Sequence, residues 1–437
     1  MTAAADGARP RARWDRSRAV RIGARVVTVA ALVTGVALFV FGNPPLLALL
    51  PNPIVPITHV DFDTFWRSAA ALVEGTGIYD TDAKLHNLNP PVLSLLMAPL
   101  GMLDAVSAYR IFVTLTVLMV AGSVFAAARE LRIGRGWTAL AVLSVLASSP
   151  LHGTLALGQI YGILLVGVTA GWIAERRGHP RLAAVLYGVT VAIKPSLAPL
   201  LLLPLVQRRW PALRAGLAAA TLATLAGMAA AGFSTGPQWL RMALTEPVAT
   251  VLDNAALPGM AIRWGLPSLV GTLVGVALLV GTLLLFGLRT RWYGIAERSE
   301  RGTSIGTSAR GADPAGVAPW AVLATGLLTA PISWHNYLIV LWPGLLVVVA
   351  SGRAGDTRRV VVGALLALAF IPITWSDLWA PGDPFTLVGH ALYTAILLAA
   401  WLTLLRPATG PWWPDTAPRS GTGESFRSAE VPARSSG

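Results

Sequence analysis

The sequence predicts an all-α polytopic membrane protein, and three observations carry that prediction. Of its 437 residues 54% are hydrophobic and only 13% charged, with a mean hydropathy of +0.63. The apolar residues fall in long, nearly continuous runs. The basic residues gather in the N-terminal tail and in the short loops between those runs.

Each observation has a physical reason. A soluble chain of this length could not hide so much apolar surface, because single cores stop growing well before that size. A bilayer supplies the missing apolar solvent. The formal charge of +13 would suit nucleic acid, but its placement follows the positive-inside pattern, which makes anionic lipid headgroups the expected partner. No cysteine is present, which excludes disulfides, thiol nucleophiles and cysteine-ligated metals.

The chain divides into a basic cytoplasmic tail (1–23), a membrane domain (24–405) and a Pro/Gly/Ser/Arg-rich cytoplasmic tail (406–437) expected to be disordered. The first apolar run, about 24–42, lacks a small-residue cleavage site after it and reads as a retained helix. An extracytoplasmic loop (43–103) follows. Helices are then expected at 105–128, 137–150 and 159–174, the last two joined by an outer turn at 151–158. The apolar segment 182–206 breaks at Lys194-Pro195, since proline stops a helix, and reads as two short crossings. Helices at 212–232 and 267–288 flank a loop at 233–265. A basic cytoplasmic loop (289–317) precedes hairpins at 318–332 with 337–351, and at 360–375 with 386–405. This path has about twelve crossings with both termini inside. Of the 34 Lys and Arg, only Arg67, Lys84, Arg110, Lys194, Arg241 and Arg263 then fall outside.

The first outer loop is the most informative stretch. Phe62, Phe65, Trp66, Ala69, Leu72 and Val73 recur at helical spacing, which predicts an amphipathic interfacial helix ended by Gly75 and Gly77. Asp61 stands at its N-terminal edge, where it can either cap the helix or act as a general base at the membrane–water boundary. Asp63 lies about 200° further round the helix, so one face cannot present both carboxylates. Asn87-Leu-Asn89-Pro90-Pro91 is a proline-primed helix start. Gln159 can satisfy backbone groups or reach a sugar hydroxyl. Lys194, one of only two lysines, either snorkels to headgroups or pairs with a phosphate. Trp334 and Tyr337 suit an interfacial belt. His335, beside them at the tip of a hairpin, is either structural or a donor to a phosphate or hydroxyl.

Taken in order, these segments resemble glycosyltransferase family 87. The matching pieces are Asp61-Phe-x-x-Phe65-Trp-Arg with Gly75 and Tyr79-Asp80, Asn89-Pro90-Pro91 with Ala98-Pro99-Leu100, Gly158-Gln159, Ile193-Lys194-Pro195 running to Arg208-Arg209-Trp210, and Pro331-Ile-Ser-Trp334-His335. The resemblance covers about residues 55–350. It implies a GT-C-type helical bundle and transfer of a sugar, most commonly mannose, from a polyprenyl-phosphate donor, with inversion, on the extracytoplasmic face of the cell membrane. The acceptor would be a glycolipid or polysaccharide. It further implies that Asp61 is the base and that Lys194, His335 and Arg67 hold the donor phosphate. Asp63, Tyr79, Asn89, Gln159, Trp334 and Asn336 would line the substrate site. Neither cofactor nor metal is expected; the lipid-linked donor is a co-substrate. Two departures bear on the sugar and acceptor: a single His directly follows Trp334 where many members have Trp-x-His-His, and Asn89 replaces a tyrosine before Pro-Pro.

A transporter or flippase of a lipid-linked sugar is the competing class. It would favour repeated halves and charged pairs at mid-membrane, and the sequence shows neither strongly. A non-catalytic scaffold would leave Asp61 and Lys194 without a role.

Overall fold

The computed structural model describes residues 59–301, 313, 316–351, 362 and 385–405. Among these the chain is helical, with α1 (Val60–Glu74), α2 (Pro91–Gly101), α3 (Ala105–Glu130), α4 (Arg135–Leu146), α5 (Ser149–Leu157), α6 (Tyr161–Arg176) and α7 (Pro180–Ile193). A 3-10 turn (Pro195–Leu197) leads to α8 (Pro199–Val206), α9 (Trp210–Ala231), α10 (Thr235–Thr245), α11 (Leu257–Arg263), α12 (Ser268–Arg301) and α13 (Ala318–Thr329). A second 3-10 segment (His335–Leu341) opens α14 (Trp342–Ser351), and α15 (Phe385–Leu405) is last. The expected first helix (24–42), most of the 360–375 helix and both tails lie outside the described residues.

Among the described residues three helices are long and apolar enough to cross a membrane: Ala105–Glu130, Trp210–Ala231 and the Ser268–Trp292 part of α12. The pair α4 and α5, bent by 45°, makes a fourth candidate, and six further apolar helices are shorter. The chain runs between two ends of this bundle. At one end Glu130 meets Arg176 and Arg177, at 3.6 and 3.0 Å, and Arg209 pairs with Glu175. The Trp172 indole donates to the Gly316 carbonyl there. At the other end lie Asp61, Gln159 and Lys194.

Close helix packing rests on small residues, as expected where lipid offers no hydrophobic drive between helices. A Cβ on Gly188 of α7 would come within 2.2 Å of the Gly216 carbonyl oxygen of α9. These two helices therefore touch backbone to backbone.

Several expectations change. The segment 151–157, expected as a turn, is helical. Pro150 sits in the first turn of α5, where its missing N–H costs nothing, and the Ser148 hydroxyl accepts from Leu151 N. The 233–265 loop contains α10 and α11. Helix α12 extends through Arg289 to Arg301, with no proline to stop it before Pro314. The hairpin after 331 restarts as a 3-10 segment. The helix expected at the interface is docked on protein: α1 buries Phe62, Thr64, Phe65, Ser68, Ala69 and Ala71, while Val73 of the expected stripe is exposed. Phe62 packs against Tyr109 and Phe112 of α3, with ring centroids 5.0 and 5.2 Å away.

Candidate active site

Asp61 is the second residue of α1. It does not cap the helix: His59 takes the N-cap position, and no side chain caps there. The Asp61 carboxylate instead accepts a hydrogen bond of 2.6 Å from Gln159 Nε2. Leu157-Gly158-Gln159 folds to allow this. Gly158 adopts the left-handed conformation (φ 71°) that ends α5, and Gln159 N bonds back to the Thr154 carbonyl. A Cβ on Gly158 would lie 2.3 Å from the Phe62 Cβ. Glycine thus serves both the turn and the close approach that delivers Gln159 to Asp61.

Burial raises the Asp61 pKa, and the Gln159 hydrogen bond and the Lys194 charge pull it back down. The result is a carboxylate more basic than an exposed one, within the electrostatic reach of a cation. Lys194 ends α7. Pro195 forces the residue before it out of helical geometry (φ −137°, ψ 92°), which turns the lysine off the helix. Its ammonium donates to Asn89 Oδ1 at 3.2 Å and stands over the Tyr337 ring, 5.7 Å from the centroid.

Asn89 is itself fixed from three sides. Asn87 Oδ1 accepts from Asn89 N at 3.0 Å and from Asn89 Nδ2 at 3.2 Å, which leaves Asn89 Oδ1 for the ammonium. The Tyr79 hydroxyl donates to the Asn89 carbonyl at 2.9 Å, and burial pushes that phenol pKa up, so it stays a donor. The structure thereby gathers Asp61, Gln159, Lys194, Asn89 and Tyr79. It adds Tyr337, whose ring lies 4.2 Å from that of Tyr161. Tyr161, two residues after Gln159, is buried beside Tyr337.

Arg67 and Asp63 lie on the opposite side of α1, bonded to each other at 2.9 and 3.0 Å. Neither joins the Asp61–Lys194 group. His335 and Tyr337 are two steps apart in a 3-10 segment, which separates them by about 240°. Tyr337 faces Lys194, while His335 Nδ1 lies 3.7 Å from Asp253 Oδ2, with its ring 5.3 Å from that of Tyr393. Trp334 pairs with Asn254 in an isolated bridge. Asn254, which sequence reasoning missed, staples the two loops: its side chain accepts from Ser333 N and Ala256 N and donates to the Pro331 and Ala249 carbonyls. Asn336 is fully buried, and both of its amide atoms lack hydrogen-bond partners.

A helical membrane protein with a half-buried carboxylate, a cation and side-chain amides at one end has the makings of a transferase. Comparison with known proteins defines the class: a family model described as Glycosyltransferase family 87 matches residues 87–309. The chain is a membrane glycosyltransferase, and it belongs to family 87. Among similar proteins, the polyprenol-phosphate-mannose-dependent alpha-(1-2)-phosphatidylinositol mannoside mannosyltransferase of Mycobacterium tuberculosis is 25% identical over 424 residues, covering 90% of each chain. The protein of the same name in Mycolicibacterium smegmatis is 25% identical, over 73% of this chain and 76% of its own. An alpha-(1->3)-arabinofuranosyltransferase of Corynebacterium glutamicum is 28% identical over 50% of this chain and 56% of its own.

Proposed function

We propose that this protein transfers a sugar from a polyprenyl-phosphate donor to a glycolipid or polysaccharide acceptor, with inversion and with Asp61 as general base. The observation that supports the reading is that Asp61 and Lys194, distant in the chain, lie at one end of the bundle, near enough for the Lys194 charge to act on the carboxylate. The acceptor hydroxyl gives its proton to Asp61 as its oxygen attacks the anomeric carbon. The bond from that carbon to the phosphate oxygen breaks, and its electron pair leaves on polyprenyl phosphate. Lys194, oriented by Asn89 and Tyr337, offsets the charge growing on the phosphate. The sugar arrives already activated by its lipid phosphate, so the reaction as written needs no other cofactor.

Mannose is the donor sugar favoured here, because the relatives matched over most of their length use polyprenol-phosphate-mannose by name. Asn336, with its unpartnered amide, and His335, with Asp253, are assigned to sugar hydroxyls and phosphate, since buried polar groups without partners favour a hydrogen-bonding ligand. We place the protein in the cytoplasmic membrane with about twelve crossings and both termini inside. The Glu130, Arg176, Arg177 and Arg209 end would face the cytoplasm and the Asp61 end the outside, in keeping with the charge bias of the loops.

The test is transfer from labelled polyprenyl-phosphate-mannose to membrane acceptors by purified protein in vesicles. Asp61→Asn, which keeps size and can still accept from Gln159, is expected to insert normally and lose transfer by a factor of about 100 or more, the range typical of a general base. Near-wild-type transfer by this variant would remove Asp61 from the reaction.

A further inference from the structure

We propose that α10 is an interfacial helix seated in the headgroup layer of the bilayer leaflet at the Asp61 end, and that it anchors the Lys194 clamp to the membrane surface. This rests on the chain being a membrane protein and not on the role given to Asp61.

Successive helical residues turn about 100°, so α10 has three faces. Pro237, Leu240 and Leu244 fall within about 60° of arc on that geometry and are exposed, Leu240 to 49% and Leu244 to 77%. Phe233, just before the helix, is 63% exposed. The opposite side meets protein: Thr235 is buried, and a Cβ on Gly236 would strike the Met228 side chain at 2.5 Å. The Trp239 indole on this side donates to the Leu88 carbonyl at 3.0 Å. Arg241 and Thr245, both exposed, form the flank between. An apolar face, a protein face and a polar flank with a cation suit a helix lying where hydrocarbon, protein and headgroups meet.

The position of α10 in the chain selects lipid as the occupant of the apolar face. The helix follows directly on α9, a candidate span, after a turn at Gly232 (φ 94°). Helix α9 exposes Leu217, Leu222 and Leu225, so uncovered apolar residues occur both on a candidate span and on the helix that follows it. Arg241 supplies a partner for lipid phosphate. Through Trp239 the helix holds Leu88, and the next residue, Asn89, orients the Lys194 ammonium. The seat of α10 in the leaflet therefore sets the position of the clamp.

The absence of cysteine makes a direct test clean. Single cysteines at Leu240, Leu244 and Thr245, each carrying an environment-sensitive fluorophore, are placed in vesicles containing phosphatidylglycerol and lipids spin-labelled near the headgroup. Blue-shifted emission and quenching several times stronger at 240 and 244 than at 245 are expected, with both effects lost in detergent. Equal, weak quenching at all three positions would overturn the proposal. So would shielding of 240 and 244 that persists in detergent with cross-linking between copies, which would give the face to a second copy of the chain. The readout needs no catalysis, so loss of the Asp61 reading would leave it standing.

Discussion

Gln159→Leu isolates the electrostatics of the proposed base. The variant keeps apolar bulk and removes the 2.6 Å hydrogen bond to Asp61 Oδ2. A hydrogen bond to a charged group contributes about 1.5–3 kcal/mol, which corresponds to roughly a 10- to 100-fold change in the ionised fraction of Asp61 wherever that fraction is small. The sign follows from the groups around the carboxylate. Burial already raises its pKa, and Gln159 and Lys194 oppose that rise, so loss of Gln159 lifts it further. A base works deprotonated, so the acid limb of kcat/KM should move to higher pH, with rates returning toward wild type on the alkaline side. The assay is kcat/KM for transfer from a short-chain polyprenyl-phosphate-mannose across pH in detergent. A uniform loss at every pH, with the limb unmoved, would refute the reasoning and make Gln159 a substrate ligand instead.

Three further outcomes are expected. Tyr337→Leu removes the ring beneath the Lys194 ammonium, an interaction of about 0.5–2 kcal/mol, and should raise KM for the donor by roughly 3- to 30-fold, whereas Tyr337→Phe should not; equal effects would show that the ring face does nothing for the cation. Gly158→Ala meets both a left-handed backbone, at a cost of about 1–2 kcal/mol, and the Phe62 Cβ, so it should lower the thermal midpoint and abolish transfer. Gly75→Ala has a similar φ of 73° but open space, and should lower the midpoint less and spare activity. Arg67→Ala breaks an ion pair whose arginine is 40% exposed and should cost only about 0.3–0.5 kcal/mol, with donor KM unchanged; a clear rise in donor KM would place Arg67 at the phosphate.

The sequence made local chemistry legible and long-range meetings illegible. The break at Lys194 could be read because proline acts on its immediate neighbours. The separation of Asp61 from Asp63 followed from helical rotation alone. Gly158 could be read as a turn, but not as the point where α5 touches Phe62, because that contact belongs to the fold. Asn87 and Asn89 look like an ordinary helix start, which they are, and nothing local says that Asn89 also holds an ammonium. Tyr337 resembled a belt aromatic; its partnership with Tyr161 joins helices far apart in the chain. His335 carried no hint of Asp253, which lies in a loop with no periodic pattern. The amphipathic pattern of α1 was real, but periodicity cannot distinguish a protein neighbour from a lipid one.

Helices α7 and α9, touching through Gly188 and Gly216, belong to a closed mechanical circuit. Helix α9 runs into α10, whose Trp239 grips Leu88; Asn89 grips Lys194; and Lys194 terminates α7. Such a ring has no free arm. A shift of the Lys194 ammonium away from Asn89 would therefore be felt along α7, α9 and α10 together, since each contact in the loop constrains the next.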